Sequence, residues 1–206
     1  MPVFEKQGQR IAFIHIPKAA GSSIERYFTD LGWEMSFYLP CVDPNDPAEH
    51  HLTYSVLRER INDLDEIPSF CVVRNPYKRI VSEWRWHRTT LRSTMLSFPD
   101  FVRRMSVSLK SSITYWDNHW RPQSDFLDDA IDKVMRLENI DAEFAEFVEK
   151  QGLDPSIKLP RTNQTRSRFR RSLQPEITPE TIQRIRDIYH VDFDRLGYSE
   201  AEAKLQ

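Results

Sequence analysis

Residues 13–29 read FIHIPKAAGSSIERYFT. The apolar run 13–16 stops at Pro17, small residues carrying a single lysine (Lys18) follow to Ser23, and helical spacing of apolar residues begins at Ile24. The order is strand, tight turn, helix. Small side chains let the backbone close around a ligand, and the N–H groups at a helix start attract phosphate-like anions. Lys18 sets a mobile cation beside that anion. In the familiar nucleotide-triphosphate loop, Gly-Lys-Ser/Thr closes the turn after an earlier glycine; here the lysine comes before the turn.

A second stretch, residues 70–84, reads FCVVRNPYKRIVSEW. Its apolar strand, 70–73, ends in Arg74. Pro76 suits the first turn of a helix, where a missing N–H costs nothing. Ser82 follows Arg74 by eight positions, on the second helical turn, where its hydroxyl can turn back towards the strand end. An arginine fork with a hydroxyl makes a cradle for a second, separate phosphate.

Outward from these two stretches, strands alternate with helices. Helices are expected over about 22–31, 52–61, 76–91, 99–109, 142–151 and 178–189, and strands over 33–39, 69–74 and 133–137. This pattern predicts an α/β fold: one domain over residues 1–206, core about 11–198, with a central parallel sheet flanked by helices and anion sites at the strand C-terminal ends. The polar aromatic segment 115–126 interrupts the pattern, and 152–177 reads as a loop rich in arginine and proline.

With 206 residues, 39% hydrophobic and only five glycines, the chain has the makings of a globular core. A net charge of −2 argues against wholesale nucleic-acid binding, and most of the basic residues are arginines, which suit phosphate or sulfate. Cys41 and Cys71 are too few for a disulfide framework and are expected to be reduced. Neither a signal peptide nor a membrane span is visible, so a soluble protein of the cytoplasm is the expectation. No metal-ligand cluster is legible, and oligomeric state is not readable.

The motifs Pro17-Lys18-Ala19-Ala20-Gly21-Ser22-Ser23 and Arg74-Asn75-Pro76…Ser82 together resemble those of the sulfotransferases that use 3'-phosphoadenosine 5'-phosphosulfate (PAPS). The resemblance implies a P-loop-like sulfotransferase fold. It implies that Lys18, Ala20, Gly21, Ser22 and Ser23 hold the 5'-phosphosulfate, and that Arg74 and Ser82 hold the 3'-phosphate. The wording His15-Ile16-Pro17-Lys18 looks closest to the carbohydrate branch, which includes the heparan 2-O and chondroitin 4-O enzymes; animal members usually carry an N-terminal membrane span, so the resemblance implies a bacterial member. The acceptor implied is a hydroxyl of an oligosaccharide or glycoconjugate, with PAP as the other product and no metal required.

Moving a sulfuryl group to a hydroxyl needs a base with a pKa near neutrality, which favours histidine among six. Of these, His15 and His190 are read as structural and His87 sits on the helix after the second motif, leaving His50, His51 and His119. In the heparan 2-O branch the catalytic histidine opens a His-Val-Ser-Tyr-like segment; here His51-Leu52-Thr53-Tyr54 precedes Arg74 by 23 positions. His51 is therefore preferred as base and Lys18 as the group facing the leaving phosphate, with Glu49, in place of the branch's companion histidine, orienting His51. His119, Trp120 and Gln123 resemble a sugar-contacting patch, with His119 the rival base. In the arginine-rich stretch 161–171, Asn163, Arg166 and Arg168 are expected to cover the nucleotide or meet an anionic acceptor. The alternatives are a P-loop-type nucleotide kinase, which would need the absent Gly-Lys-Ser/Thr loop, and a noncatalytic polysaccharide-binding module. Nucleic-acid binding rests on the arginine run alone.

Overall fold

The computed structural model describes residues 2–38, 47–91, 96–162 and 173–199. Cys41, Asn163, Arg166 and Arg168 lie outside the described residues.

The strand read from 13–16 is Gln9–Ile14 (β2), paired with an N-terminal strand that the polar start of the chain concealed, Val3–Lys6 (β1). Gln7 and Gly8 turn between them with φ of 52° and 80°, the left-handed pair that matches hairpin twist. Val3 and Phe4 are buried, so two apolar residues suffice to seat this strand. Gly21–Asp30 forms α1, and the chain returns through Glu34–Ser36 (β3) to the far side of β1. A short helix, Tyr54–Arg58 (α2), precedes the fully buried Ser69–Val73 (β4).

Pro76–Trp86 forms α3, Phe98–Ser111 α4, Lys133–Arg136 β5, Ile140–Lys150 α5 and Pro179–Leu196 α6. Side chains cap three of them: Asn75 accepts from the N–H groups of Tyr77 and Lys78, Ser97 from that of Asp100, and Thr178 from that of Thr181. The last helix does not stop near Tyr189. It kinks there and runs on to a left-handed Gly197, so His190 sits within it and not at an end. Among the described residues no helix is long and apolar enough to cross a membrane.

The five strands order β3-β1-β2-β4-β5. The sheet is therefore mixed: β2, β4 and β5 run parallel, while β1 is antiparallel to both its neighbours. Aromatic rings weld the helices to it, with Phe28 of α1 stacked on Phe4 at 4.2 Å and Phe70 of β4 against Phe147 of α5 at 4.6 Å. The register pairs Phe13 with Phe70 and Ile14 with Cys71. The parallel β2 and β4 thus end side by side at one end of the sheet, where the two sequence motifs begin.

Candidate active site

A cleft of about 1430 Å³ opens at those strand ends. Lys18, Ala20, Gly21, Ser22 and Ser23 line it from the β2 side, and Arg74 and Ser82 from the β4 side. Lys18 and Ala20 are left-handed at φ 68° and 70°, an uncommon state for residues with a Cβ. Their turn delivers the chain into α1 with no side-chain cap and no acidic residue in the first turn. The first N–H groups of a helix have no intrahelical partner, so this start presents donors and partial positive charge to the cleft. Gly21 is needed for a further reason: a Cβ there would fall inside the His15 ring. Arg74 closes the gap between the motifs, its Nη1 donating to the Lys18 carbonyl at 3.3 Å.

His15, Glu25, His50, His51, Asp117 and His119 also line the cleft. His51 Nδ1 lies 2.8 Å from Asp117 Oδ2, and His119 Nδ1 lies 3.0 Å from both oxygens of Glu83, which also meets His87 Nε2 at 3.0 Å. His15 Nδ1 is 2.7 Å from Glu25 Oε1, an ion-pair contact without the alignment of a hydrogen bond. The His51 ring lies 4.8 Å from His15, 4.1 Å from His50 and 4.9 Å from His119.

Burial, then the neighbouring imidazoles, hold His51 well below the ordinary histidine value, and the same causes lower His50 to about 4. Burial alone would raise Glu83, yet His119, His87 and Lys18 hold it far below the carboxylate range. Asp117 is pushed up by burial, against a hydrogen bond from the Ala48 N–H.

These shifts give stability a pH dependence. His50 and His51 are neutral when folded and protonate near 6.5 once unfolded, so the unfolded chain binds more protons below that pH and stability falls. Glu83, with its lowered folded value, adds a loss below about 4.5. The thermal midpoint is expected to be flat above pH 7 and about 5 °C or more lower by pH 5, with a shallower slope in His50→Gln. An unchanged midpoint down to pH 5 in calorimetry would contradict this.

Asp117 is held by unusual backbone. Trp116, Asp117 and Asn118 are successively left-handed, at φ 58°, 55° and 59°, at a cost of about 1–2 kcal/mol each. Sequence reasoning missed Asp117 because it lies 66 positions from His51; the faint signal was Asp-Asn, the pair most tolerant of this conformation. It missed Trp86 too, which lines the cleft with Lys18 Nζ 5.0 Å from its ring centroid and His119 stacked on it at 5.2 Å.

Several expected positions differ. Glu49 faces Arg60 at 3.8 Å, and the carboxylate at His51 is that of Asp117. Trp120 and Gln123 are buried beneath the cleft and are absent from its lining. Trp120 stacks in an aromatic group with Trp116, Tyr115 and Phe101. Gln123 brackets the Arg74 backbone, accepting its N–H at 2.9 Å and donating to its carbonyl at 2.8 Å. Ser23 Oγ lies 3.1 Å from Thr162 Oγ1, which brings the start of the arginine-rich stretch to the cleft.

No metal cluster was legible in sequence, but the fold gathers His50, His51 and Asp117 with donor atoms within 4.8 Å of one another. Two bonds of about 2.1 Å span at most about 4.2 Å, so one ion would draw that spread inward. It would also displace the His51–Asp117 hydrogen bond.

Two strand ends on one cleft, with a helix start, a lysine and an arginine, make an α/β site suited to an anionic ligand. The sequence model of the Sulfotransferase family matches residues 3–199. The chain belongs to that family, whose members are enzymes that transfer the sulfuryl group of PAPS. No curated protein and no solved structure matches it.

Proposed function

We propose that this enzyme transfers the sulfuryl group of PAPS to a hydroxyl of a saccharide, as the heparan 2-O and chondroitin 4-O enzymes do. The observation that carries the reading is the convergence of Lys18 with the uncapped α1 start, and of Arg74 with Ser82, on one cleft. PAPS carries phosphate at both ends of one adenosine, and the in-register β2–β4 pair supplies a pocket for each.

His51 takes the hydroxyl proton on Nε2 as the acceptor oxygen bonds to sulfur. The bond from sulfur to the bridging oxygen breaks, and its electrons stay on the 5'-phosphate of PAP. Lys18 and the first N–H groups of α1 neutralise that charge. Sulfuryl carries less charge than phosphoryl, so these groups stand in for a divalent ion. His119 and Trp86 meet the acceptor, an aromatic face beside a polar group being suited to a sugar. Asn163, Arg166 and Arg168 follow Thr162 and are assigned to the nucleotide or an anionic acceptor.

Calorimetry tests the nucleotide half. PAP is expected to bind without magnesium and ATP about 100-fold more weakly, for want of a 3'-phosphate. Arg74→Ala should weaken PAP by about 10- to 100-fold, the loss of one or two hydrogen bonds to a charged group. Tighter binding of ATP with magnesium would instead support a kinase.

A further inference from the structure

We infer that Asp117 is the positioning residue of His51, presented by the left-handed turn 116–118 to fix which ring nitrogen faces the cleft. The inference rests on the reading of His51 as base. Asp117 makes two bonds to one short segment: Oδ2 meets His51 Nδ1 at 2.8 Å, and Oδ1 accepts the Ala48 N–H at 2.6 Å. Its neighbour Asn118 adds a third, donating from Nδ2 to the His51 carbonyl at 2.9 Å. Side chain and backbone of the histidine are thus held from one turn. A carboxylate accepts only, so Nδ1 must carry the proton, and Nε2 on the opposite edge keeps the lone pair that a base requires.

The turn is built for this purpose at the expense of local comfort. A right-handed path through 116–118 would suit three residues with a Cβ better, yet the left-handed one is kept. Hydrogen bonds from Asn118 N to Thr114 O at 3.2 Å and from His119 N to Trp116 O at 3.0 Å tie it down. The Trp116 ring is packed against His87 and Trp120. Strain that persists under such over-determination marks a functional constraint.

The other titratable groups around the His51 ring are His50 beside it, His15, just past β2, with Glu25 of α1, and His119 with Glu83 from the loop and α3. None of them is hydrogen-bonded to His51 Nδ1 among the described residues; that place belongs to Asp117.

Long-range nitrogen–proton NMR of nitrogen-15 histidine-labelled protein reads the tautomer directly. At pH 7.5 His51 in the parent protein is expected to carry its proton on Nδ1. In Asp117→Asn, whose amide can donate as well as accept, that form should fall to about half, and the His51 titration should move to lower pH. PAP affinity should hold within about 3-fold, showing that the nucleotide half of the cleft is intact.

With a saccharide shown to accept sulfate, kcat should fall about 100-fold or more at constant KM for PAPS. An Nε2–H tautomer in the parent, or an unchanged tautomer and titration in Asp117→Asn, overturns the inference; the first needs no variant that folds. The NMR readings need no transfer reaction. Their failure beside an inactive His51→Ala would remove Asp117 alone, whereas full transfer by His51→Ala would remove the base reading itself.

Discussion

His51→Ala is expected to lose about 10²- to 10⁴-fold in sulfate transfer while binding PAP as the parent does. The magnitude is that of removing a placed base, and the split follows from geometry. His51 is held by Asp117 and is not among the groups assigned to the phosphates, Lys18, the start of α1, Arg74 and Ser82. Its lowered pKa keeps it neutral at pH 7, so the proton-accepting form is fully populated. The same shift makes it a weaker base, which puts weight on charge stabilisation at the leaving phosphate. Transfer of radiolabelled sulfate from PAPS to saccharides, beside PAP calorimetry, checks the split. Full transfer in His51→Ala with none in His119→Ala would move the base to His119, whose ring is 4.9 Å away.

Arg79→Ala is expected to unfold the protein or lower its thermal midpoint by about 10 °C or more. Arg79 is completely buried on α3. Its Nε donates to Pro17 O at 3.1 Å, and its Nη2 to His119 O and Arg121 O, each at 2.9 Å. The guanidinium also lies 5.7 Å from the Tyr189 ring centroid. One side chain thus ties the lysine turn to the histidine-bearing loop and backs onto the last helix.

Removing it strands two buried carbonyls and a part-buried one at about 1–3 kcal/mol each and opens a cavity. The sum approaches the whole stability of a typical domain, about 5–15 kcal/mol. Arg79→Lys keeps the charge but not the planar fork that reaches three acceptors, and should recover less than half of the loss. A midpoint within about 3 °C of the parent in Arg79→Ala would show that the carbonyls find other partners.

The sequence reading went furthest where the signal is local. The run from Phe13 to Thr29 encodes strand, turn and helix in adjacent residues, and Arg74 to Ser82 encodes the second strand end in the same way. It faltered where side chains meet from distant parts of the chain. The hairpin at β1 is held by two buried residues among polar ones, too short for periodicity to register. Trp120 and Trp86 look alike in sequence; only packing sends one into the core and the other to the cleft. Glu83 reads as a polar residue on an amphipathic helix and becomes a buried anion shared by two histidines. Glu49, adjacent in sequence to the histidine pair, was the natural partner for His51 until the turn at 116–118 brought a closer one.

Asp192, deep in α6, accepts from the backbone of Gln123 and from both the N–H and the hydroxyl of Ser124. Gln123 in turn holds the main chain at Arg74. An anchor late in the polypeptide therefore steadies the residue assigned to the nucleotide's 3'-phosphate. The smallest fragment able to grip the donor would have to include that closing helix, and shortening it should be felt in ligand affinity before the sheet itself gives way.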